Sequence, residues 1–197
     1  MDYKSKIILI SGPTASGKSK IAINLAKKID GEIINADSMQ VYKQLKILTA
    51  RPSGEDQKNI KHHLFGIIDV RKRFSTGQWL KECIKTINLI KKRKNVPIIV
   101  GGTGLYFKAL VDGLVRIPKF KPSDKNKILK LHNKLGQNQF YKKLIKLDPI
   151  SKKFVNPNDV NRSIRAYEVK KLTKKSLYKW FNETETYFDK NDFVMTY

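Results

Sequence analysis

Apolar residues along this chain fall into two arrangements, and the change-over lies near Pro118. Before it they come as short, unbroken runs. Ile7 to Ile10 is one, closed by a glycine turn at Gly12. Its length and its turn predict a buried strand, although periodicity alone would not assign it. From Ser19 the spacing becomes helical, with Ile21, Leu25 and Ile29 as the expected buried stripe and Gly31 as the stop. Glu32 to Ala36 reads as a second strand ending at Asp37, so strand, loop, helix and strand open a parallel α/β sheet. Ser75-Thr76-Gly77-Gln78 has the form of a capping box, starting a helix that buries Trp79, Leu80, Cys83, Ile84 and Ile87. Val96 to Val100 is another wholly apolar strand, closed by Gly101-Gly102. Strands apolar on both faces suit a sheet covered by helices on both sides.

Beyond Pro118 the apolar positions keep helical spacing only: Ile128, Leu131 and Leu135, then Phe140, Leu144 and Leu147. The pattern predicts an α/β core over residues 1–117 and an inserted helical lobe over 118–190. Residues 191–197 would begin a strand, at Phe193 to Met195, that re-enters the core.

Composition sharpens this picture at three points. At 197 residues and 40% apolar, the chain can bury a core, and no run approaches the roughly 20 apolar residues of a membrane span. Met1 to Lys6 carries no secretory pattern, and the single Cys83 cannot form an internal disulfide, so a reducing cytoplasm is the expected compartment. Forty-one Lys and Arg against seventeen Asp and Glu give a formal charge of +24, which calls for a polyanionic partner, nucleic acid before membrane. AT-rich coding would explain Lys over Arg, but not basic over acidic. The excess is dense in the predicted lobe, where Lys119 to Lys153 holds eleven Lys and two acidic residues, Asp124 and Asp148.

The chemistry begins at Gly12-Pro13-Thr14-Ala15-Ser16-Gly17-Lys18-Ser19, which matches G-x-x-x-x-G-K-[ST] between a predicted strand and a predicted helix. Glycines let backbone N–H groups wrap phosphate oxygens, and the helix N-terminus adds its dipole. Lys18 would neutralise the terminal phosphate, and Ser19 would ligate Mg²⁺. A P-loop core fixes the ligand class as a di- or triphosphate, ATP among them, but not the reaction. Asp37, at the carboxyl end of a strand, is placed to hold Mg²⁺ through water or to take a proton. A turn aspartate is its ordinary alternative. Asp69 is a second candidate of the same kind. Thr103, in Gly101-Gly102-Thr103-Gly104, admits three readings: a phosphate ligand, a group orienting Asp37, or a helix N-cap.

Together these segments resemble the tRNA dimethylallyltransferases (tRNA isopentenyltransferases). The resemblance rests on GPTASGKS at Gly12–Ser19, INADSMQVYK at Ile34–Lys43, TARPS at Thr49–Ser53, and HHL with IIDV between His62 and Val70. VGGTGLYFKAL at Val100–Leu110 and NPNDVNRSIRAYEV at Asn156–Val169 complete a colinear set. It implies a P-loop NTPase-like fold and transfer of a dimethylallyl group from its diphosphate to the exocyclic amine of the adenine 3′ of the anticodon. The P-loop would hold the pyrophosphate leaving group rather than ATP as an energy source. By the same resemblance Asp37 is the general base, and Lys18 and Thr103 complete the catalytic set. Asp37, Ser38, Met39, Gln40 and Thr103 would meet the tRNA, as would Lys125 and the run Asn161, Arg162, Ser163, Ile164 and Arg165. The partners implied are the anticodon stem-loop of tRNA, dimethylallyl diphosphate and Mg²⁺, with no membrane and a monomeric protein. Family members continue past the point where this chain stops, which implies a fragment or a shortened form.

Two other functions fit part of the pattern. A small P-loop kinase would share the phosphate loop and consume ATP; a non-catalytic RNA-binding remnant would bind tRNA without turnover. Other residues have plainer expectations. His62-His63 lacks a zinc-like spacing and reads as structural, or as closing the site. Trp79 reads as core, and Trp180 and Phe181 as packing within the lobe, with base stacking as their alternative. Arg162 and Arg165, three apart, share a helix face.

Overall fold

The computed structural model describes residues 3–49, 51–52, 54 and 59–196. Ala50 and Ser53 of the TARPS stretch lie outside the described residues. Five parallel strands form one sheet: β1 (Ile7–Ser11), β2 (Gly31–Asn35), β3 (His62–His63), β4 (Val96–Gly101) and β5 (Phe193–Thr196), in the order β3-β2-β4-β1-β5. β2 is buried along its whole length, as is β4, and β1 over Ile7–Ile10, because helices α1 (Lys18–Ile29), α2 (Thr76–Lys92) and α3 (Gly104–Asp112) accompany them. The chain's α/β class and its parallel sheet are therefore as the sequence pattern predicts.

Two details of the first unit differ from the pattern. The expected stripe on α1 is met only in part: Leu25 and Ile29 pack half-buried on the core, but Ile21 is 54% exposed, and Ala22 and Ala26 are the fully buried positions. Small residues win there because α1 lies close to β2. A Cβ on Gly31 would sit 2.5 Å from Ile98 Cδ1 and 3.0 Å from Ala26 Cα. Gly31 thus serves close packing as the first residue of β2, and the left-handed stop of α1 is Asp30, at φ 54°. The Ser75–Gln78 capping box is present, and α2 buries Trp79, Leu80, Cys83, Ile87 and Ile90, with Ile84 only partly covered.

The chain divides into two compact units, Met1–Gly113 with Thr186–Tyr197, and Leu114–Glu185. Both boundaries fall a few residues before the change in hydrophobic pattern. Ile117 and Phe120 already pack on the helical core, and Phe188 lies with Phe193 and Lys91 of the sheet unit. The second unit is built on α4 (Pro122–Leu147), α5 (Val160–Thr173) and the short α6 (Leu177–Trp180). α4 kinks at Gly136, at φ 71° and ψ 164°. Ile128, Phe140, Leu144, Val155, Ala166, Tyr167, Val169 and Leu177 form the core of this unit. The buried Asp148 carboxylate accepts from the Ser151 and Ser176 hydroxyls at 2.9 and 2.8 Å, tying the end of α4 to the start of α6.

Candidate active site

Because β4 lies between β1 and β2, the loops leaving the carboxyl ends of these three neighbours meet. The β1–α1 loop is the GPTASGKS turn, in which Ala15 (φ 65°) and Gly17 (φ 78°) take left-handed conformations. Lys18 Nζ donates to the Pro13 carbonyl at 2.8 Å, folding its ammonium back over the loop. The loop after β4 passes hard against the end of β2. A Cβ on Gly101 would stand 2.2 Å from the carbonyl carbon and oxygen of Ala36, so only glycine allows this approach. The Ala36 N–H donates to Val100 O at 2.7 Å and the Thr103 N–H to Ala36 O at 3.2 Å, sealing the two loops together.

Asp37 is held from both sides. Asn35, fully buried, accepts from the Asp37 N–H at 2.9 Å and donates from Nδ2 to the Asp37 carbonyl at 3.0 Å and to Leu64 O at 3.2 Å. Asp37 Oδ1 in turn accepts from the Met39 N–H at 2.8 Å and, more weakly, from the Gln40 N–H at 3.4 Å. Asp37 therefore forms a turn and also lines the cavity. Its Oδ2 has no hydrogen bond among the described residues. Thr103 sits at the N-cap of α3 but its side chain caps nothing. Its hydroxyl accepts from the Ser38 N–H at 2.9 Å and donates to Ser38 Oγ at 3.3 Å, a clasp between residues 65 apart in sequence.

A cavity of about 570 Å³ opens at these loop ends. Thr14, Ala15, Gly17, Lys18 and Ser19 line it from the phosphate loop, and Asp37, Met39 and Gln40 from the β2 end. Ile23, Ile33, Leu48, Phe65 and Val100 make an apolar wall, and His62 also faces it. Thr103 and Ser38 are not among its lining residues and act on it through backbone placement. Gln40 ties the lip down by donating from Nε2 to Thr49 O at 2.8 Å.

Asp69, the second acidic candidate, is elsewhere engaged. It receives Nε and Nη2 of Arg71 at 2.8 and 3.0 Å and Gln44 Nε2 at 2.9 Å, and these bonds hold its carboxyl well below the usual range. It does not line the cavity and serves to fix its loop. His63 is structural: its Nε2 lies 2.7 Å from Glu32 Oε2, and since a carboxylate only accepts, this nitrogen carries the proton. Burial raises the Glu32 carboxyl, but Arg93, His63 and Asn95 outweigh it and hold it down at about 2. Cys83 is buried and burial pushes its thiol up, which makes it inert.

Two contributors escaped the sequence reading. Asn35 is one; an amide directly after the apolar pair Ile33-Ile34, at the end of β2, was the available signal. Tyr106 is the other. It stacks on Trp79 at 4.3 Å, Trp79 donates to Asn35 O at 2.8 Å, and burial and then the Tyr42 and Asp37 charges push the Tyr106 hydroxyl up to about 12.

Lys125, Asn161, Arg162, Ser163, Ile164 and Arg165 all belong to the second unit. Asn161 and Arg162 are exposed on the first turn of α5, with Arg162 Nε 3.5 Å from Asp159. Ser163 and Ile164 correct the expectation that the whole run meets RNA. Ser163 is fully buried and its hydroxyl is taken by Gln137 at 3.1 Å, while Ile164 packs on the core. A helix turns 100° per residue, so five successive positions cannot share one exposed face. Arg165 pairs with Glu168 and lies over the Phe120 ring at 5.7 Å.

A parallel sheet with this loop after its first strand, and an acidic turn after the next strand but one across the sheet, defines a P-loop NTPase-like protein. The chain is 60% identical to the tRNA dimethylallyltransferase of Pelagibacter ubique over 98% of its own length and 62% of that protein. It is 43% identical to that of Rickettsia bellii, over 89% of this chain and 56% of that one. The chain thus spans about three fifths of the length of these relatives. The crystal structure of a eukaryotic dimethylallyltransferase acting on tRNA superposes with a TM-score of 0.82 at 32% identity, covering 96% of this chain and 47% of that one. The full-length tRNA isopentenylpyrophosphate transferase of Bacillus halodurans gives 0.56 at 36% identity, over 88% of this chain and 57% of that one. The family model for IPP transferase matches residues 40–196, and the chain belongs to this family.

Proposed function

We propose that this chain transfers a dimethylallyl group from dimethylallyl diphosphate to the exocyclic amine of the adenine 3′-adjacent to the anticodon in tRNA, as a cytoplasmic monomer. The observation that carries this reading is the convergence of the phosphate loop, Asp37 and an apolar wall on one cavity. A prenyl diphosphate has those two ends, one a multiply charged anion and one purely hydrocarbon.

Phosphate-loop N–H groups and Lys18 would take the diphosphate, for which Lys18 exchanges its Pro13 carbonyl. The adenine leaves its stack to reach the site, at a cost of a few kcal/mol. Its amine nitrogen then bonds to the allylic carbon as the carbon–oxygen bond to the diphosphate breaks, and Asp37 accepts the amine proton. The amine is a weak nucleophile, so proton removal and stabilisation of the leaving group carry the rate. Asn35 and the Ser38–Thr103 clasp fix Asp37 where the proton arrives. Mg²⁺ fits the donor set, since the Ser19 hydroxyl is a hard oxygen ligand on this cavity and diphosphate and water would supply the rest, leaving Asp37 free to act as the base. When bound it would neutralise charge on the departing diphosphate. No helix among the described residues is long and apolar enough to cross a membrane. RNA contacts would come from Lys125, Asn161, Arg162 and Arg165 in the basic unit.

The test is mass spectrometry of an unmodified tRNA incubated with the chain, Mg²⁺ and dimethylallyl diphosphate, beside Asp37→Asn. A prenyl mass on the adenine next to the anticodon, lost in the variant, supports the assignment. A gain that survives in Asp37→Asn removes Asp37 as the base. No gain, with ATP consumed instead, would overturn the transferase reading in favour of a kinase.

A further inference from the structure

Unit Leu114–Glu185 holds nineteen Lys and Arg against six Asp and Glu, yet one part of its surface is aromatic. Phe154, in the turn after α4, is 54% exposed, and Phe181, just after α6, is 51% exposed. Neither ring is isolated. Phe154 stacks on Tyr178 with centroids 4.3 Å apart and planes 15° from parallel, and Tyr178 meets Phe181 edge-on at 5.8 Å. One face of Phe154 is thus backed by a ring that is itself held in place, which leaves its exposure on the opposite face and edge. Trp180, by contrast, is turned inward: it packs on the helical core, donates to Thr173 Oγ1 at 3.3 Å and carries Lys175 over its ring.

The surroundings are cationic. Lys152 and Lys153 precede Phe154 directly and are exposed, as is Lys179 beside Tyr178. Arg162, also exposed, is near enough for its charge to act on the Tyr178 hydroxyl, as are the buried Asp148 and Asp159, the latter paired with Arg162 at 3.5 Å. The cations thus outnumber rather than exclude acidic groups here. An exposed, backed aromatic face within a field of Lys and Arg is the arrangement that receives single-stranded nucleic acid. The cations track phosphates, and the ring stacks a base without regard to its identity.

We propose that the open face of Phe154, with Phe181 beside it, is a stacking platform for one unpaired base of the RNA substrate, with Lys152, Lys153, Lys179 and Arg162 holding the adjoining phosphates. This rests on the RNA reading above and adds a contact to it. The chain that leaves the anticodon stem is unpaired, so its bases have free faces to offer. A duplex has none, and Phe154 gains nothing from it.

The full chain is titrated into two labelled RNAs, a hairpin with an unpaired loop and a fully paired duplex of the same length, across a salt series, with melting temperatures of every variant recorded. Phe154→Ala is expected to weaken hairpin binding about tenfold, to leave duplex binding unchanged, and to keep the salt slope, because no phosphate contact is lost. Phe154→Trp should retain affinity, and its emission should be quenched when hairpin binds. Unchanged hairpin affinity in Phe154→Ala overturns the platform while leaving the RNA reading in place. Equal weakening on both RNAs also overturns it, since that is a loss of backbone contact or fold. Should the unsubstituted chain bind neither RNA, the RNA reading itself fails and the platform with it.

Discussion

The sheet unit and the helical unit reach their working surfaces by opposite routes. In the sheet unit the residues that matter are scattered in sequence and forced together by close backbone approach. Ser38 and Thr103 share a hydroxyl bond across 65 residues, and Gly101 lies where a single methyl group would overlap Ala36. The helical unit packs α4 on α5, and what it presents is a density of charge with an aromatic face, nineteen basic residues against six acidic. A site that must place one carboxylate against one proton depends on every contact behind it. A surface that attracts a polyanion depends on the sum of its charges and tolerates the loss of any one.

That contrast is open to attack, most severely at Asp37. On the proposed transferase function, Asp37→Asn should lower the prenyl-transfer rate about 10²–10⁴-fold while tRNA affinity, measured by filter binding, changes little. An equal fall in both would mean that Asp37 binds rather than reacts. Next comes Gly101→Ala, for which chemical denaturation should show a loss of roughly 3 kcal/mol or more, because backbone rather than a flexible side chain must yield. Retained stability would refute the close approach.

Glu32 gives the sheet unit a pH signature. Its folded value, about 2, lies below its ordinary value of 4.5, so its contribution is fully present above about pH 4.5 and is lost as pH falls toward 2. The full gap corresponds to about 3 kcal/mol, and solvent at the partly exposed Arg93 reduces it to on the order of 1–2 kcal/mol. Glu32→Gln should remove that much stability at pH 7 and flatten the acid limb between those pH values in urea titrations. A parallel acid limb would show that Glu32 is not its source.

Thr103→Val should cost about 1 kcal/mol of stability and slow turnover, with KM for the diphosphate unchanged, since Thr103 does not line the cavity. A raised KM instead would make it a ligand. The smallest effect belongs to the helical unit. Lys142→Ala or Lys143→Ala alone should reduce the slope of log affinity against log salt by at most about one and leave turnover at low salt intact. A large loss from either would mean that the charges are individually placed, and the contrast between the units would fail.

Most strands and helices of both units could be read from the chain because their signals are local: an apolar run before a glycine turn, a capping box at Ser75, helical spacing around Phe140. The two-residue β3 and the single-turn α6 are too short to carry such a signal and were not predicted. The phosphate loop was legible for the same reason, since Gly12 to Ser19 makes its geometry almost within itself. Local pattern misled where a neighbour decides. Ile21 looked like core, but Ala22 and Ala26 take the face nearest β2 and leave it exposed, and Gly31 looked like a helix stop when its missing Cβ makes room for Ile98. Asp69 looked equivalent to Asp37 until Arg71 and Gln44 were found on its carboxylate. The run Asn161–Arg165 looked uniform, and helix rotation buried Ser163.

The sequence by itself determined the longer elements, the phosphate loop, the charge of each unit and the family, because each is written in neighbouring residues or in their order. Tertiary structure alone decided that β4 enters between β1 and β2, and from that followed the cavity, the turn that holds Asp37 and the clasp on Ser38. Strand order is fixed by which apolar faces and glycines can come into contact. Those contacts join residues that no local spacing connects.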